Sequence, residues 1–251
     1  MHLLLIACGV LLRELSDAIV RSPHLIDAQF LAPVLHDTGA KAMRKHIQDA
    51  IDGAEGKSYD AIVLGYALCG NGLAGICARS LPLVLPRAHD CITLLMGSRH
   101  KYKEYFNANP GAYFRSIGWV ERAEELAEQA AGIGMNSSLE ALIEKYGEEA
   151  GRYLHAELTS YTRSYSKLTF IQTGLEVDDS FRQRAQDEAE KKGWKFEDFT
   201  GSTALIRRLT SGDWKDDFLV VPPGYRIVAS YDDGIVDAVN ICQPQTDSTG
   251  S

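Results

Sequence analysis

The chain has 251 residues, of which 45% are hydrophobic and 24% are charged, and its formal net charge at pH 7 is −8. This composition is typical of a globular protein and argues against a disordered or fibrous chain. The 26 Lys and Arg residues are scattered and are outnumbered by 34 acidic residues, so a nucleic-acid partner is not expected.

The apolar run at residues 2–8 is too short to span a membrane, and it lacks the basic residues that begin a signal peptide. It therefore predicts a buried first strand and no membrane partner. The five cysteines are an odd number in a chain too large to need disulfide staples. We expect all five to be reduced and the protein to be cytoplasmic.

Short apolar runs, each followed by a turn and a helical pattern, continue along the chain. They predict a doubly wound α/β fold with one mainly parallel sheet and helices on both faces. The expected strands are 3–7, 27–32, 61–65, 83–86, 168–172, 195–199 and 218–221. The expected helices are 10–20, 41–53, 72–79, 92–97, 179–192 and 202–209. We predict a single domain over residues 1–240 and a loose polar tail over 241–251.

A long segment, about 99–165, separates the fourth predicted strand from the fifth and is expected to be a helical, aromatic-rich insertion or cap. Its strongest helical patterns are at 122–131 and 138–148. The aromatic residues of 102–119 are consistent with a core, with a lid over a substrate pocket, or with a docking surface. The sequence leaves these three open.

Cysteine and histidine residues follow the predicted strands at the points where those strands end. Cys69 follows the third strand, His89 and Cys91 follow the fourth, and Cys8 follows the first. Because the carboxyl ends of parallel strands meet at one edge of a sheet, we expect these four residues to lie close together. Three thiols and an imidazole are the ligands of a zinc site, and three thiolates can hold an iron–sulfur cluster. Cys77 and Cys242 are expected to be structural.

Polar residues beside these thiols are candidates for catalysis. Tyr66 could donate a hydrogen bond, and Arg87 could clamp a carboxylate or a phosphate. Arg87 could equally pair with a nearby carboxylate such as Asp90. His36 follows the second strand, and it is either a ligand at the same edge or a polar loop residue.

The glycine-rich stretch Gly70, Asn71 and Gly72 places flexible backbone at the start of a predicted helix. There it would bind an anionic group of a cofactor or lower the pKa of Cys69. The chain has no GxGxxG, P-loop or GxSxG pattern. Nucleotide binding and an α/β-hydrolase triad therefore have little support.

Several longer strings resemble those of the DUF1638 family of bacterial and archaeal proteins, a domain of unknown function. They are IACGVLLREL, YDAIVLGYALCGNGL, LPRAHDCITLLMGS, PGAYFRSIGW and DFLVVPPG. The resemblance covers most of residues 3–228 and implies an α/β fold without assigning an activity. Some family members are encoded beside corrinoid-dependent methyltransferases, so it also implies a methyltransferase or corrinoid protein as a candidate partner.

Three functions stay open on this evidence. The first is a metalloenzyme, a transferase or lyase, whose zinc or iron–sulfur centre acts on a small carboxylate- or methyl-bearing substrate. The second is a metal-independent enzyme in which Cys8 and Cys69 flank a substrate carbon as acid and base, similar to amino-acid racemases. The third is a non-catalytic module that delivers a metal or cofactor or binds a methyltransferase. We expect the first.

Overall fold

The computed structural model of the protein describes residues 1–33, 39–123, 126, 138–159 and 164–241. The chain divides into two compact units. The first consists of Met1–Arg99 and Thr203–Ser251, and the second consists of His100–Ser202. The single domain that we predicted for 1–240 stays a prediction, and nearly all of the predicted tail lies outside the described residues.

The strands and helices of the described residues are numbered here in chain order. The strands are β1 (His2–Cys8), β2 (Leu25–Leu31), β3 (Ala61–Gly65), β4 (Leu83–Pro86), β5 (Ala112–Ser116), β6 (Lys167–Gln172), β7 (Lys195–Thr200), β8 (Phe218–Val221), β9 (Tyr225–Ala229) and β10 (Val236–Asn240). The helices are α1 (Leu12–Val20), α2 (Ala40–Asp52), α3 (Cys91–Met96), α4 (Arg99–Ala108), α5 (Ile117–Glu121), α6 (Leu139–Tyr146), α7 (Glu148–Thr159), α8 (Ser180–Lys192) and α9 (Ala204–Ser211).

The first unit is built on a five-stranded sheet with the order β2-β1-β3-β4-β8. The first four of these strands are mutually parallel, and β8 pairs with β4 in the antiparallel direction. Strands β3 and β4 are buried along their whole length, as expected for apolar runs covered on both faces. The predicted α/β class with a mainly parallel central sheet is confirmed.

The connections on either side of β1 run in opposite directions. The chain passes from β1 through α1 to β2 on one side, and then through α2 to β3 on the other side. Since such crossovers are right-handed, α1 and α2 cover opposite faces of the sheet. Helix α9 packs on β3 and β4 and contacts α1. The direction of winding therefore reverses between β1 and β3.

The segment after β3 does not form the helix that we predicted at 72–79. Gly70, Asn71 and Gly75 have positive φ values of 63°, 69° and 95°, which a right-handed helix does not allow. The following backbone pairs with β9 instead: Gly75 N–H donates to the carbonyl of Ile227 at 2.7 Å, and Ile227 N–H donates to that of Ile76 at 2.8 Å. Glycine conformation and this strand pairing together explain why the predicted helix was wrong.

The second unit contains its own parallel sheet, with the order β5-β6-β7. Leu168 and Phe170 of β6 pack with Val120, Ala185 and Ala189 in a separate small core. We predicted β6 and β7 correctly as strands, but their placement in the central sheet was wrong. They pair instead with β5, which formed in the aromatic stretch that we expected to be part of a helical insertion.

Helices make up much of the rest of the second unit. The predicted helix at 138–148 is present, but it ends at Tyr146 because Gly147 adopts a φ of 83° before α7 begins. Most of the predicted helix at 122–131 lies outside the described residues. None of the helices in the described part of the chain is long and apolar enough to cross a membrane.

Candidate thiol site

The reversal of winding between β1 and β3 opens a crevice at the carboxyl ends of these strands, the position where open α/β sheets bind their ligands. Three cysteine residues lie at this edge, each at or shortly after the end of one of three neighbouring strands. Cys8 is the last residue of β1, Cys69 follows β3 by four residues, and Cys91 is the first residue of α3 after β4. The topology of the sheet thus brings distant parts of the sequence to one edge.

A small pocket lies at this edge. Its space is sufficient for about one water-sized particle. It is lined by Cys8, Val10, Pro33, Met43, Gly65, Tyr66, Cys69 and Cys91. The structure therefore brings together three of the four predicted metal ligands, and with them one of the two predicted catalytic residues.

Cys69 is held in an unusual backbone conformation, with a φ of 44°. A residue with a Cβ atom in this left-handed region is strained by about 1–2 kcal/mol. Two backbone hydrogen bonds hold the loop in place, from Leu68 N–H to the carbonyl of Ala88 at 3.0 Å and from Cys69 N–H to that of His89 at 2.8 Å. They fasten the Cys69 loop to the segment that leads into Cys91.

Cys69 and Cys91 are neutral at physiological pH. Burial raises the pKa of Cys69 to about 12, although the backbone N–H groups of Ala67 and Cys91 partly oppose this effect. Burial likewise raises the pKa of Cys91 well above its ordinary value. The prediction that a helix N-terminus lowers the pKa of Cys69 was wrong, because no helix begins there and burial of the thiol raises its pKa.

Tyr66 is almost completely buried, with 2% of its surface exposed. Its hydroxyl has no hydrogen-bond partner among the described residues. Burial raises the pKa of this phenol above its usual range, and the negative charge that Cys8, Cys69 and Cys91 carry once ionised raises it further. The hydroxyl therefore lies within electrostatic reach of all three thiols.

The other predicted site residues lie away from the pocket. His89 is exposed and does not line it, so that Cys8 and not His89 accompanies Cys69 and Cys91. Gly70 and Asn71 are also exposed. A Cβ atom on buried Gly72 would overlap Sδ of Met43, which indicates that Gly72 allows the loop to pack closely on α2.

Arg87 contacts the β9–β10 hairpin. Its guanidinium donates to the carbonyl of Gly234 at 3.0 Å and also to that of Val236. The side chain of Asp90 caps α3 by accepting a hydrogen bond from Thr93 N–H at 3.2 Å. The structure thus gives Arg87 a part in holding the hairpin, and a catalytic role for it stays a prediction.

The cysteines that the structure describes, Cys8, Cys69, Cys77 and Cys91, are free of disulfides, as predicted. Cys77 lies outside any helix, and its N–H donates to Gln48 Oε1 at 2.9 Å. Within the described ranges, no three His, Cys, Asp or Glu side chains are arranged as a preformed metal site. His36 and Cys242 lie outside those ranges.

The apolar walls of the pocket were not predicted. Met43 belongs to a buried stripe of α2 with Ile47 and Ile51, a spacing of four residues that marks the inner face of a helix. That spacing was a usable signal for Met43. Val10 lies in a short 3-10 helix, Gly9–Leu11, at the start of the helix predicted for 10–20, and Pro33 lies in the turn after β2.

The fold and the site define an α/β protein with a thiol-lined pocket at the switch point of a parallel sheet. A family model described as a protein of unknown function, DUF1638, matches residues 30–210, and the chain belongs to this family. The matched region contains Tyr66, Cys69 and Cys91, whereas Cys8 precedes it. Neither the curated proteins nor the solved structures contain a significant match.

Proposed function

We propose that the thiol pocket binds one thiophilic metal ion through Cys8, Cys69 and Cys91. The observation that carries this proposal is the lining of one small pocket, at the switch point, by thiols from the ends of three neighbouring strands. Thiolates are the preferred ligands of such ions. The proposal keeps Cys8, Cys69 and Cys91 from the four predicted ligands and leaves out His89, because His89 is exposed and does not line the pocket.

The size of the pocket favours a single zinc ion over an iron–sulfur cluster. Space for about one water-sized particle matches one ion, whereas a cluster has several iron and sulfur atoms. Zinc–sulfur bonds are about 2.3 Å long, so the thiols must rotate toward a common point when the ion binds. As placed in the described residues, no three His, Cys, Asp or Glu side chains could hold a metal ion.

Binding must also remove the thiol protons, since zinc takes cysteine as the thiolate. The raised pKa values of Cys69 and Cys91 mean that these protons are present in the metal-free protein. The ion supplies the positive charge that offsets burial of the thiolates. Metal affinity should consequently increase with pH.

Three protein ligands leave a fourth coordination position free, as in catalytic zinc sites. A small substrate would take that position, and an ion held by Cys8, Cys69 and Cys91 would there polarise its oxygen or activate its thiolate. We therefore keep the proposal of a transferase or lyase that acts on a small carboxylate- or methyl-bearing molecule. A methyltransferase or corrinoid protein as partner belongs to the same proposal.

The metal-independent alternative uses Cys8 and Cys69 as acid and base on a substrate carbon. The neutral Cys69 thiol is suited to the role of the acid. Burial disfavours the thiolate that must act as the base, however, and no metal ion is present in this alternative to offset that cost. The metal site accounts better for the pocket.

Elemental analysis of anaerobically purified protein tests the proposal. We expect about one zinc per chain and no visible absorption, as for a site with one zinc ion. Cys8→Ser, Cys69→Ser and Cys91→Ser should each lose the metal. Cys77→Ser and His89→Ala are the matched controls and should retain it, because neither residue lines the pocket.

The opposite results are equally specific. Absence of metal from every preparation, including protein incubated with zinc, would overturn the proposal and favour the metal-independent enzyme. Iron and sulfide with broad visible absorption would replace the single ion by a cluster. Retention of zinc by Cys69→Ser would show that the ion binds elsewhere.

A further inference from the structure

Strand β2 forms an open edge of the first sheet. It pairs with β1 along all seven of its residues, and no strand in the described part of the chain pairs with its other side. Residues 27–29 are exposed, and the side chain of Leu25 is 63% exposed. Proteins usually protect such an edge with a short strand, a proline or a lysine, because its unpaired backbone groups are a template for another strand.

These protective features are missing from β2. Its sequence, LIDAQFL, contains no proline, glycine or basic residue, and its one charged residue is Asp27. The Asp27 carboxylate accepts a hydrogen bond from Tyr59 at 2.8 Å and lies 3.0 Å from Nε2 of His2, so it is engaged on a face of the sheet and does not block the edge. Strand β8, at the opposite edge, has only four residues and contacts β9 and β10.

The backbone groups on the open side of β2 belong to alternate residues. Leu25 N–H donates to the carbonyl of Met1 at 3.1 Å, so Leu25 faces β1. Because the N–H and C=O of one residue point to the same side and successive residues alternate, the other odd-numbered residues of β2 face β1 as well. The even-numbered residues, Ile26, Ala28 and Phe30, therefore present their N–H and C=O groups to the open side.

The sequence of β2 has the same polarity pattern when it is read from either end. Ala28 is the central residue, Asp27 and Gln29 flank it, and apolar residues follow on both sides. An antiparallel copy of the strand centred on Ala28 places Ile26 opposite Phe30, so that apolar side chains meet. It places Asp27 opposite Gln29, whereas a register centred on Asp27 would bring two like charges together. The pattern thus fits a strand of the same sequence.

We propose that a second copy of this chain pairs with the open edge of β2, and that the two β2 strands run antiparallel about a two-fold axis at Ala28. Directly opposed residues with outward backbone groups exchange two hydrogen bonds, so Ala28, Ile26 and Phe30 of both copies form about six. The two five-stranded sheets then become one continuous sheet. Because the contact is isologous, it closes as a dimer and does not propagate into a fibre. The dimer is independent of the proposed metal site.

Sedimentation equilibrium of the full-length protein tests the dimer. We expect a mass of twice 27.6 kDa at about 200 µM protein. The mass should fall toward that of one chain on dilution, because strand pairing alone buries a small interface. A mass of one chain at about 200 µM, or a series of larger species, would overturn the proposal.

Ala28→Lys and its matched control, Gln29→Lys, test the register. Both positions are exposed, so either lysine should leave the fold of the single chain intact. Ala28→Lys sets two ammonium groups opposite each other at the axis and should weaken the dimer at least about tenfold. Gln29→Lys sets an ammonium group opposite Asp27 of the second copy and should weaken it by less than about threefold. An unchanged dimer in Ala28→Lys, or a dissociated one in Gln29→Lys, would contradict the proposed interface.

Cross-linking is a second test that needs no disruptive substitution. Opposed residues of a hydrogen-bonded pair have Cα atoms about 5.5 Å apart, which suits a disulfide. Ala28→Cys should therefore form a covalent dimer with oxidised glutathione, which takes up the electrons of the two thiols and is itself reduced to the thiol. Gln29→Cys lies opposite Asp27 and should cross-link no more than wild type. Equal cross-linking of the two variants would show random collision and would refute the two-fold axis at Ala28.

Discussion

Replacement of Tyr66 by Phe should stabilise the metal-free protein. The ring stays buried in the same place, and the substitution removes only a hydroxyl that lacks a partner among the described residues. An unsatisfied buried hydroxyl costs about 1–3 kcal/mol, and its removal should raise the free energy of unfolding by a similar amount. A gain of this kind is uncommon, because most substitutions in a protein core destabilise it.

Urea unfolding in the presence of a chelator measures this change. The midpoint should rise while the slope of free energy against urea stays constant, which shows that the native and unfolded states keep their compactness. Tyr59→Phe serves as the comparison, since it removes a hydrogen bond of 2.8 Å to Asp27. That variant should change the free energy of unfolding little, because the pair is exposed to solvent.

A fall in the free energy of unfolding of Tyr66→Phe would refute the reasoning. It would mean that the hydroxyl is already satisfied in the metal-free protein, for example by a buried water. The pocket has room for one such molecule.

Three further predictions concern the frame of the site. Gly72→Ala should destabilise the protein by about 1–3 kcal/mol in urea unfolding, because the added Cβ would overlap Sδ of Met43. Adding Met43→Ala to this variant should recover part of the loss. Gly53→Ala is the control and should change little, because the nearest atom to its added Cβ lies at 3.4 Å. The pKa of Cys69 is about 12 in the folded protein and about 8.5 in the unfolded chain. Its contribution to the free energy of unfolding is therefore complete below about pH 8.5 and is lost as the pH rises toward 12, with a slope of up to about 1.4 kcal/mol per pH unit. Urea unfolding of Cys69→Ala over this pH range should lack that slope. Arg87→Ala should lower the free energy of unfolding by about 1–3 kcal/mol through two lost carbonyl contacts, with unchanged metal content; loss of metal would show that Arg87 supports the site directly.

Much of the central sheet follows from the sequence because its strands are continuous apolar runs. The bounds of β3, β4 and β8 match the predicted 61–65, 83–86 and 218–221. The hairpin strands β9 and β10 were missed, although Asp233-Gly234 between two short runs is a recognised turn signal. The partners of β6 and β7 could not be predicted, because the pattern of an apolar run predicts a strand but does not indicate which other strands it pairs with.

The candidate site, like the sheet, was predicted only in part. The rule that parallel strands end at one edge correctly placed Cys8, Cys69 and Cys91 together. It could not separate Cys91 from His89, two residues away, because side-chain direction in a turn depends on local dihedral angles that have no periodicity. The conformation of Cys69, with its φ of 44°, was likewise hidden, since cysteine has no preference for the left-handed region.

The antiparallel pairing of β8 with β4 has a consequence for synthesis on the ribosome. Leu83 pairs with Val221, so one edge of β4 stays unpaired until β8 has been synthesised, more than 100 residues later. At translation rates of about 5–20 residues per second, that edge stays open for several seconds or longer. An unpaired apolar strand edge is a template for association with other chains. Nascent chains that stop before residue 218 should therefore be the form of this protein most dependent on chaperones.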